Sequence, residues 1–147
     1  MTNQLPLIFS IAELAYSGGE MFELIQLCLE RTGFEADLRS VSITDVTETA
    51  LYLQPALILL GHRPLLDGDA MRERWEAAGA PMGGDIIKTL KSNTDTKGIP
   101  VLLVEGLVNI EEVATESGAD AYIRVPFKPQ EITEVIKTLI ETVTHAG

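Results

Sequence analysis

Few residues of this chain are placed to do chemistry. His62 ends the apolar run Ala56–Leu60 and its glycine, Gly61, and is a candidate phospho-acceptor or metal ligand. A metal site of that kind needs further nitrogen or sulfur ligands. The only other histidine is His145, near the C-terminus, so a loop or packed histidine is the stronger reading. Glu105, with Glu13 or Asp67, could form a metal site or an acid/base pair, but no spacing requires it. A solvated carboxylate at a strand end is the favoured reading. Cys28, the single cysteine, lies in an apolar helical stretch and reads as a buried structural thiol. The Gly18-Gly19 and Gly83-Gly84 pairs suggest phosphate cradles at helix starts. Neither has the G-x-G-x-x-G or P-loop spacing that would make the case. There is no G-x-S-x-G elbow either.

The elements that must hold these residues alternate between apolar runs and amphipathic segments. Leu5–Phe9 reads as a buried strand. Ser17 and Glu20 have capping-box spacing at the start of a helix that should run to Arg31, with Gly33 as its stop. Glu35–Ile43 reads as a second strand. Thr44–Leu53 reads as a helix opened by Thr44 or Asp45 and broken by Pro55. Ala56–Leu60 and Pro100–Val104 are continuous apolar runs, the mark of strands buried on both faces. Between them, Asp67–Ala78 and Asp85–Lys91 look helical, separated by a Gly/Pro break. Asn109–Ser117 is a helix with Asn109 and Glu112 at capping-box spacing. Ala121–Val125 is the fifth strand. Gln130–Thr144 is the closing helix, with Thr144–Gly147 as a frayed end. Ser92–Lys97 is a polar loop.

Five strands alternating with helices argue for a parallel sheet covered on both faces, an α/β three-layer sandwich. The flavodoxin-like strand order 2-1-3-4-5 suits strands of this number and length. The 147 residues form one domain, 1–147. A net charge of −11 argues against nucleic acid and anionic membrane surfaces as partners and is read as a solubility feature. No apolar run reaches the ~18 residues that span a bilayer, and no signal peptide is visible. The expected compartment is the cytoplasm.

Gly118-Ala-Asp120, then Tyr122, then Pro126-Phe127-x-Pro129 resemble the last strand and helix start of response-regulator receiver domains. Ile99–Val104 resembles that family's fourth strand, and Leu90–Lys97 the preceding helix end and loop. The resemblance covers nearly the whole chain. It implies a receiver-like, flavodoxin-like fold with an extra helical insertion after strand 3, at about 64–81. Two segments, Pro64–Gly68 and Met82–Gly84, compete for one family motif there. The insertion is read equally as a cap over the pocket or as a surface loop, and its Trp75 as core rather than interface anchor.

The family's phosphotransfer needs two Mg²⁺-binding acidic residues after strand 1, an aspartate ending strand 3, a Thr/Ser ending strand 4 and a Lys after strand 5. Matching by position gives Ser10-Ile11, Gly61 (or Leu60 or His62 if the gap moves), Glu105 and Val125. The resemblance therefore implies a degenerate phosphorylation pocket, with no catalytic residue, no metal and no cofactor. It further implies a pseudo-receiver in a two-component, phosphorelay-type pathway. Such a protein would act through phosphorylation-independent contact with a signalling kinase or regulator, or as a homodimer. By fold analogy, the face of helix 4, strand 5 and helix 5 is the expected interface, with Glu111, Glu112, Glu116, Tyr122, Arg124 and Lys137 as contacts. Tyr122 matches the family's aromatic switch residue, and Glu105 in place of Thr/Ser should break its usual coupling. The alternative function is a small-ligand sensor using the vacated pocket.

Overall fold

The computed structural model describes residues 5–11, 19–43, 45–61, 82–106 and 109–146. The strands are β1 (Leu7–Ile11), β2 (Asp37–Val41), β3 (Leu57–Leu60), β4 (Val101–Glu105) and β5 (Ala121–Arg124). The helices are α1 (Gly19–Arg31), α2 (Val46–Leu53), α3 (Gly83–Ser92), α4 (Ile110–Ser117) and α5 (Pro129–Ala146). The sheet is wholly parallel, in the order β2-β1-β3-β4-β5. This is the order expected from the sequence. The readings at Ser17, Thr44 and 62–81, which include the insertion, His62, Asp67 and Trp75, lie outside the described residues.

Strand alternation divides the core in two. In β3, Ile58 and Leu60 join Phe9, Ile11, Ile87 and Leu103 beneath α2, α3 and α4. Leu57 and Leu59 join Ile8, Cys28, Leu102 and Ile136 beneath α1 and α5. Every residue of β3 and β4 is buried, as their unbroken apolar sequence requires. The edge strands β2 and β5 are only half covered. Cys28 is buried as expected, and burial pushes its thiol above the ordinary range, opposed in part by Arg31.

Several boundaries differ from expectation for local reasons. Strand β4 starts at Val101, because Pro100 has no N–H to give a ladder. It extends to Glu105, whose carbonyl accepts the Val125 N–H at 3.1 Å. The helix expected from Asp85 starts at Gly83, where the Asp85 carboxylate accepts the Met82 N–H at 3.0 Å. Asn109 precedes α4 but makes no side-chain cap bond, so the capping box expected there is absent. Helix α5 begins at Pro129, where proline suits the first helical position as expected, but continues through Thr144 to Ala146, into the segment expected to fray. The stop at Gly33 is as expected: its φ is 74°, and the Phe34 N–H returns to the Leu29 carbonyl at 2.9 Å.

Helix α2 ends on an unusual residue. Gln54 is left-handed (φ 48°) without being glycine, a conformation that costs roughly 1 kcal/mol. Its side-chain amide offsets this by donating to the carbonyls of Ala50, Leu51 and, across the chain, Asp95 (3.3, 3.2 and 3.0 Å). Gln54→Ala keeps the strain and loses these bonds, so it should cost about 1–2 kcal/mol. Gln54→Gly should be within about 0.5 kcal/mol of wild type, because relief of strain offsets the lost bonds. Urea denaturation of both variants checks this. Equal losses would mean that the left-handed backbone stores no strain, and a Gln54→Ala variant as stable as wild type would mean that the amide bonds contribute nothing.

The end of the sheet where the strands start is closed by a polar latch. Lys91 Nζ donates to Asp120 Oδ2 (2.6 Å) and to the carbonyls of Ile99 (2.9 Å) and Lys97 (3.1 Å). The same Asp120 oxygen accepts the Val101 N–H at 2.7 Å, and the Asp120 N–H returns to the Val101 carbonyl at 3.0 Å. Asp120 thus ties α3, β4 and β5 together.

Candidate functional site

The parallel sheet brings the ends of β1, β3, β4 and β5 to one edge, where open α/β sheets carry their sites. Register places Ser10 opposite Leu59, Leu60 opposite Leu103 and Glu105 opposite Arg124. Ser10, Ile11, Gly61, Glu105 and Val125 therefore lie along this edge, as the sequence placed them. They do not point the same way. Ile11 and Glu105 continue the rows of Phe9 and Leu103, toward α2–α4. Ser10 continues the row of Ile8, and Val125 packs on the core beneath α1 and α5.

Glu105 is the chemically notable member. It was expected to be a solvated carboxylate, and the structure corrects this: the residue is 4% exposed. As the last residue of a buried strand, its side chain projects into the row of Val101 and Leu103 rather than into water. Its Oε2 accepts the N–H of Gly106 at 2.8 Å. Gly106 is exposed, yet a Cβ there would lie 3.0 Å from Val125 Cγ2. The Val125–Pro126 peptide that follows is cis. Ser10 is 2% exposed and Ile11 fully buried. Glu105 is thus the one carboxylate among the five positions. Mg²⁺ demands a near-octahedral set of oxygens. No group of three or more His, Cys, Asp or Glu side chains suited to a metal is found among the described residues. The donor set described here does not fit Mg²⁺. Glu13, the other carboxylate considered near β1, is outside the described residues, and of His145 only the backbone is described.

On the neighbouring surface, Glu111, Glu112 and Glu116 of α4 and Tyr122 and Arg124 of β5 are all exposed. The two strand residues share one side of β5, two apart, while Ile123 between them is buried. Lys137 does not join them. It lines a groove with Arg31, Thr32, Phe34, Gln130 and Thr133, on the flank of α5 that faces α1. The helical repeat explains this: Gln130, Thr133, Glu134 and Lys137 form one stripe, at i, i+3, i+4 and i+7. The flank toward β5 instead carries Val135, Thr138 and Leu139, which with Asp120, Ala121 and Glu134 line a groove of about 330 Å³. The sequence reading named Lys137 by fold analogy and did not name Val135 and Thr138, which helical spacing places on the flank toward β5.

No family model matches the sequence, and no curated protein is similar enough in sequence to count as a relative. Solved structures are similar in fold. A receiver domain of a signal transduction histidine kinase from Syntrophus aciditrophicus is 23% identical, with a TM-score of 0.67 over 94% of this chain and 92% of that one. A CheY-like response regulator receiver domain protein from Methanospirillum hungatei JF-1 is 16% identical, with a TM-score of 0.70 over 98% and 100%. The receiver domain of a sensor histidine kinase from Pseudomonas aeruginosa PAO1 is 14% identical, with a TM-score of 0.65 over 92% and 98%, and holds a magnesium ion in its active-site cleft. Such identities speak to architecture, and the architecture is that of the response-regulator receiver domains.

Proposed function

We propose that this chain is a non-catalytic pseudo-receiver. It serves two-component-type signalling through phosphorylation-independent contact with a protein partner, a kinase or another regulator. The observation that carries the reading is Glu105. A carboxylate stands at the end of β4, buried, with Oε2 bonded to the next backbone N–H. It puts a carboxyl side chain at the edge where a receiver would accept a phosphoryl group. Gly61, after β3, offers no nucleophile, and Ser10 with Ile11 offers no carboxylate pair. Phosphotransfer of this type relies on positioned metal and cationic groups to stabilise charge. Val125 supplies no cation.

The exposed side chains of α4 and β5, with the groove beside Val135 and Thr138, support this face as the contact surface, for a partner or for a second copy. No helix among the described residues is long and apolar enough to cross a membrane, which accords with a cytoplasmic protein. Closure of Ser10, Ile11 and Glu105 from solvent leaves the small-ligand alternative without support from the described residues.

Intact-mass spectrometry after incubation with Mg²⁺ and a small-molecule phosphodonor tests the reading. The expected result is an unchanged mass, alongside full modification of an ordinary receiver in the same reaction. A phosphoryl adduct would overturn the proposal, and peptide mapping would then look first at Asp67 and Asp69.

A further inference from the structure

Three of the chain's eleven basic residues, Arg31, Lys128 and Lys137, border one continuous depression. Its larger part, about 660 Å³, runs between the end of α1 and the exposed flank of α5. A second part, about 340 Å³, shares Arg31, Thr32 and Gln130 with it and continues to Lys128 and Pro129. All three basic side chains are exposed, and none forms an ion pair with a described residue. This contrasts with Arg39 and Lys91, whose charges are matched by Asp37 and Asp120. In a chain of net charge −11, such a cluster of unmatched cations is notable.

The groove is built rather than loose. The hydroxyls of Thr32 and Thr133 lie 2.9 Å apart and join its two walls. Thr32 is anchored in turn on the Cys28 carbonyl at 2.8 Å. Phe34 and Pro129 supply half-buried apolar surface. Glu134 is the one acidic residue in the lining.

From this we infer that the groove docks a carboxylate-rich amphipathic segment of a partner protein, lying along α5. The cations are spread out: Pro129 to Lys137 alone covers roughly 12 Å of helix. A compact anion would meet one or two of them. An extended segment with repeated carboxylates meets all three and can lay apolar side chains on Phe34 and Pro129. The net charge does not forbid this. At physiological salt the Debye length is about 8 Å, so carboxylates elsewhere on the chain are screened, and only near ones such as Glu134 in the lining and Glu131, which accepts the Lys128 N–H, offset part of the local positive charge. The same net charge weighs against nucleic acid, whose long phosphate array extends beyond the groove. The surface adjoins the α4–β5–α5 face only at Glu134, which borders both grooves, and the inference stands whether or not the chain is phosphorylated.

The probe is a fluorescein-labelled peptide of alternating Glu and Leu, read by anisotropy against the full chain. Its control has every Glu replaced by Gln. The Glu peptide should bind and the Gln peptide should not. The double variant Arg31→Glu/Lys137→Glu should weaken binding by about tenfold or more, and the milder Arg31→Gln/Lys137→Gln by several-fold. Arg124→Glu, on the other face, should leave it unchanged. Circular dichroism confirms folding of each variant, and the Gln pair serves if the charge reversals unfold. Absence of binding, equal binding of the Gln peptide, or variants that bind like wild type would overturn the inference. So would displacement of the peptide by inorganic phosphate at concentrations where chloride has no effect. Self-association of the wild type that the double variant abolishes would overturn the assignment of the partner and place a second copy in the groove.

Discussion

Gly61→Asp is expected to destabilise the fold by about 3–5 kcal/mol at pH 7 and still to yield no phosphoryl adduct. The position is buried immediately after β3, level with Val104 and one residue short of Glu105. A carboxylate introduced there leaves water and enters the side of the sheet occupied by Leu57, Leu59 and Val104, beneath α1 and α5. Ser10 and Ile11 supply no charge to bind a compensating metal. Burial among apolar side chains raises the folded-state pKa of the introduced group above its unfolded value of about 3.9. The folded state then holds the proton more tightly. The penalty is complete above the raised pKa and shrinks as pH falls toward about 4. Urea denaturation of wild type and variant at several pH values gives the difference directly. A variant of wild-type stability at pH 7 would show that this edge is hydrated or already holds a cation, and the account of a closed edge would fail.

Asp120→Ala is expected to cost about 2–3 kcal/mol, a fall in Tm of roughly 5–10 °C for a chain of this size. One carboxylate oxygen holds both the Lys91 ammonium and the N–H of fully buried Val101. Removing it leaves a buried donor without a partner, which costs more than the bond itself contributed. Asp120→Asn retains an oxygen and should lose about half as much. Lys91→Met leaves the Val101 bond in place, so the double variant with Asp120→Ala should lose less than the sum of the two. Strict additivity would show that the ion pair adds nothing to the backbone bond.

What the sequence made legible follows from how the signal arises. Buried parallel strands must be apolar throughout, so Ala56–Leu60 and Pro100–Val104 located β3 and β4 to within a residue. The alternation of elements gave the sheet order. The edge positions Ser10, Ile11, Gly61, Glu105 and Val125 were legible because a parallel sheet brings its strand ends together whatever residues occupy them. The state of Glu105 was not legible. A glutamate at a strand end is usually solvated, and only the continuation of β4 beyond Val104 buries it. Lys137 lies on the α1 flank of α5 because fold analogy names a helix and not its phase. The Asn109 capping box was read from spacing, yet spacing does not fix the side-chain rotamer, and no cap bond forms. Gln54 carried no signal for its role, since a left-handed glutamine held by a distant carbonyl is visible only in three dimensions.

The segment Asn93–Ile99 reads as a soft polar connection, rich in residues that proteases favour. In the fold it is fastened from several sides. Gln54 holds the Asp95 carbonyl, Lys91 holds those of Lys97 and Ile99, and the buried Thr96 hydroxyl returns to the Leu90 carbonyl at 2.6 Å. A protease must draw its target out into an extended strand, and these bonds oppose that. Lys97 in the segment and Lys91 in the helix before it are therefore poor trypsin sites while the domain is folded. Cutting there would report the opening of the whole sheet rather than the motion of one loop.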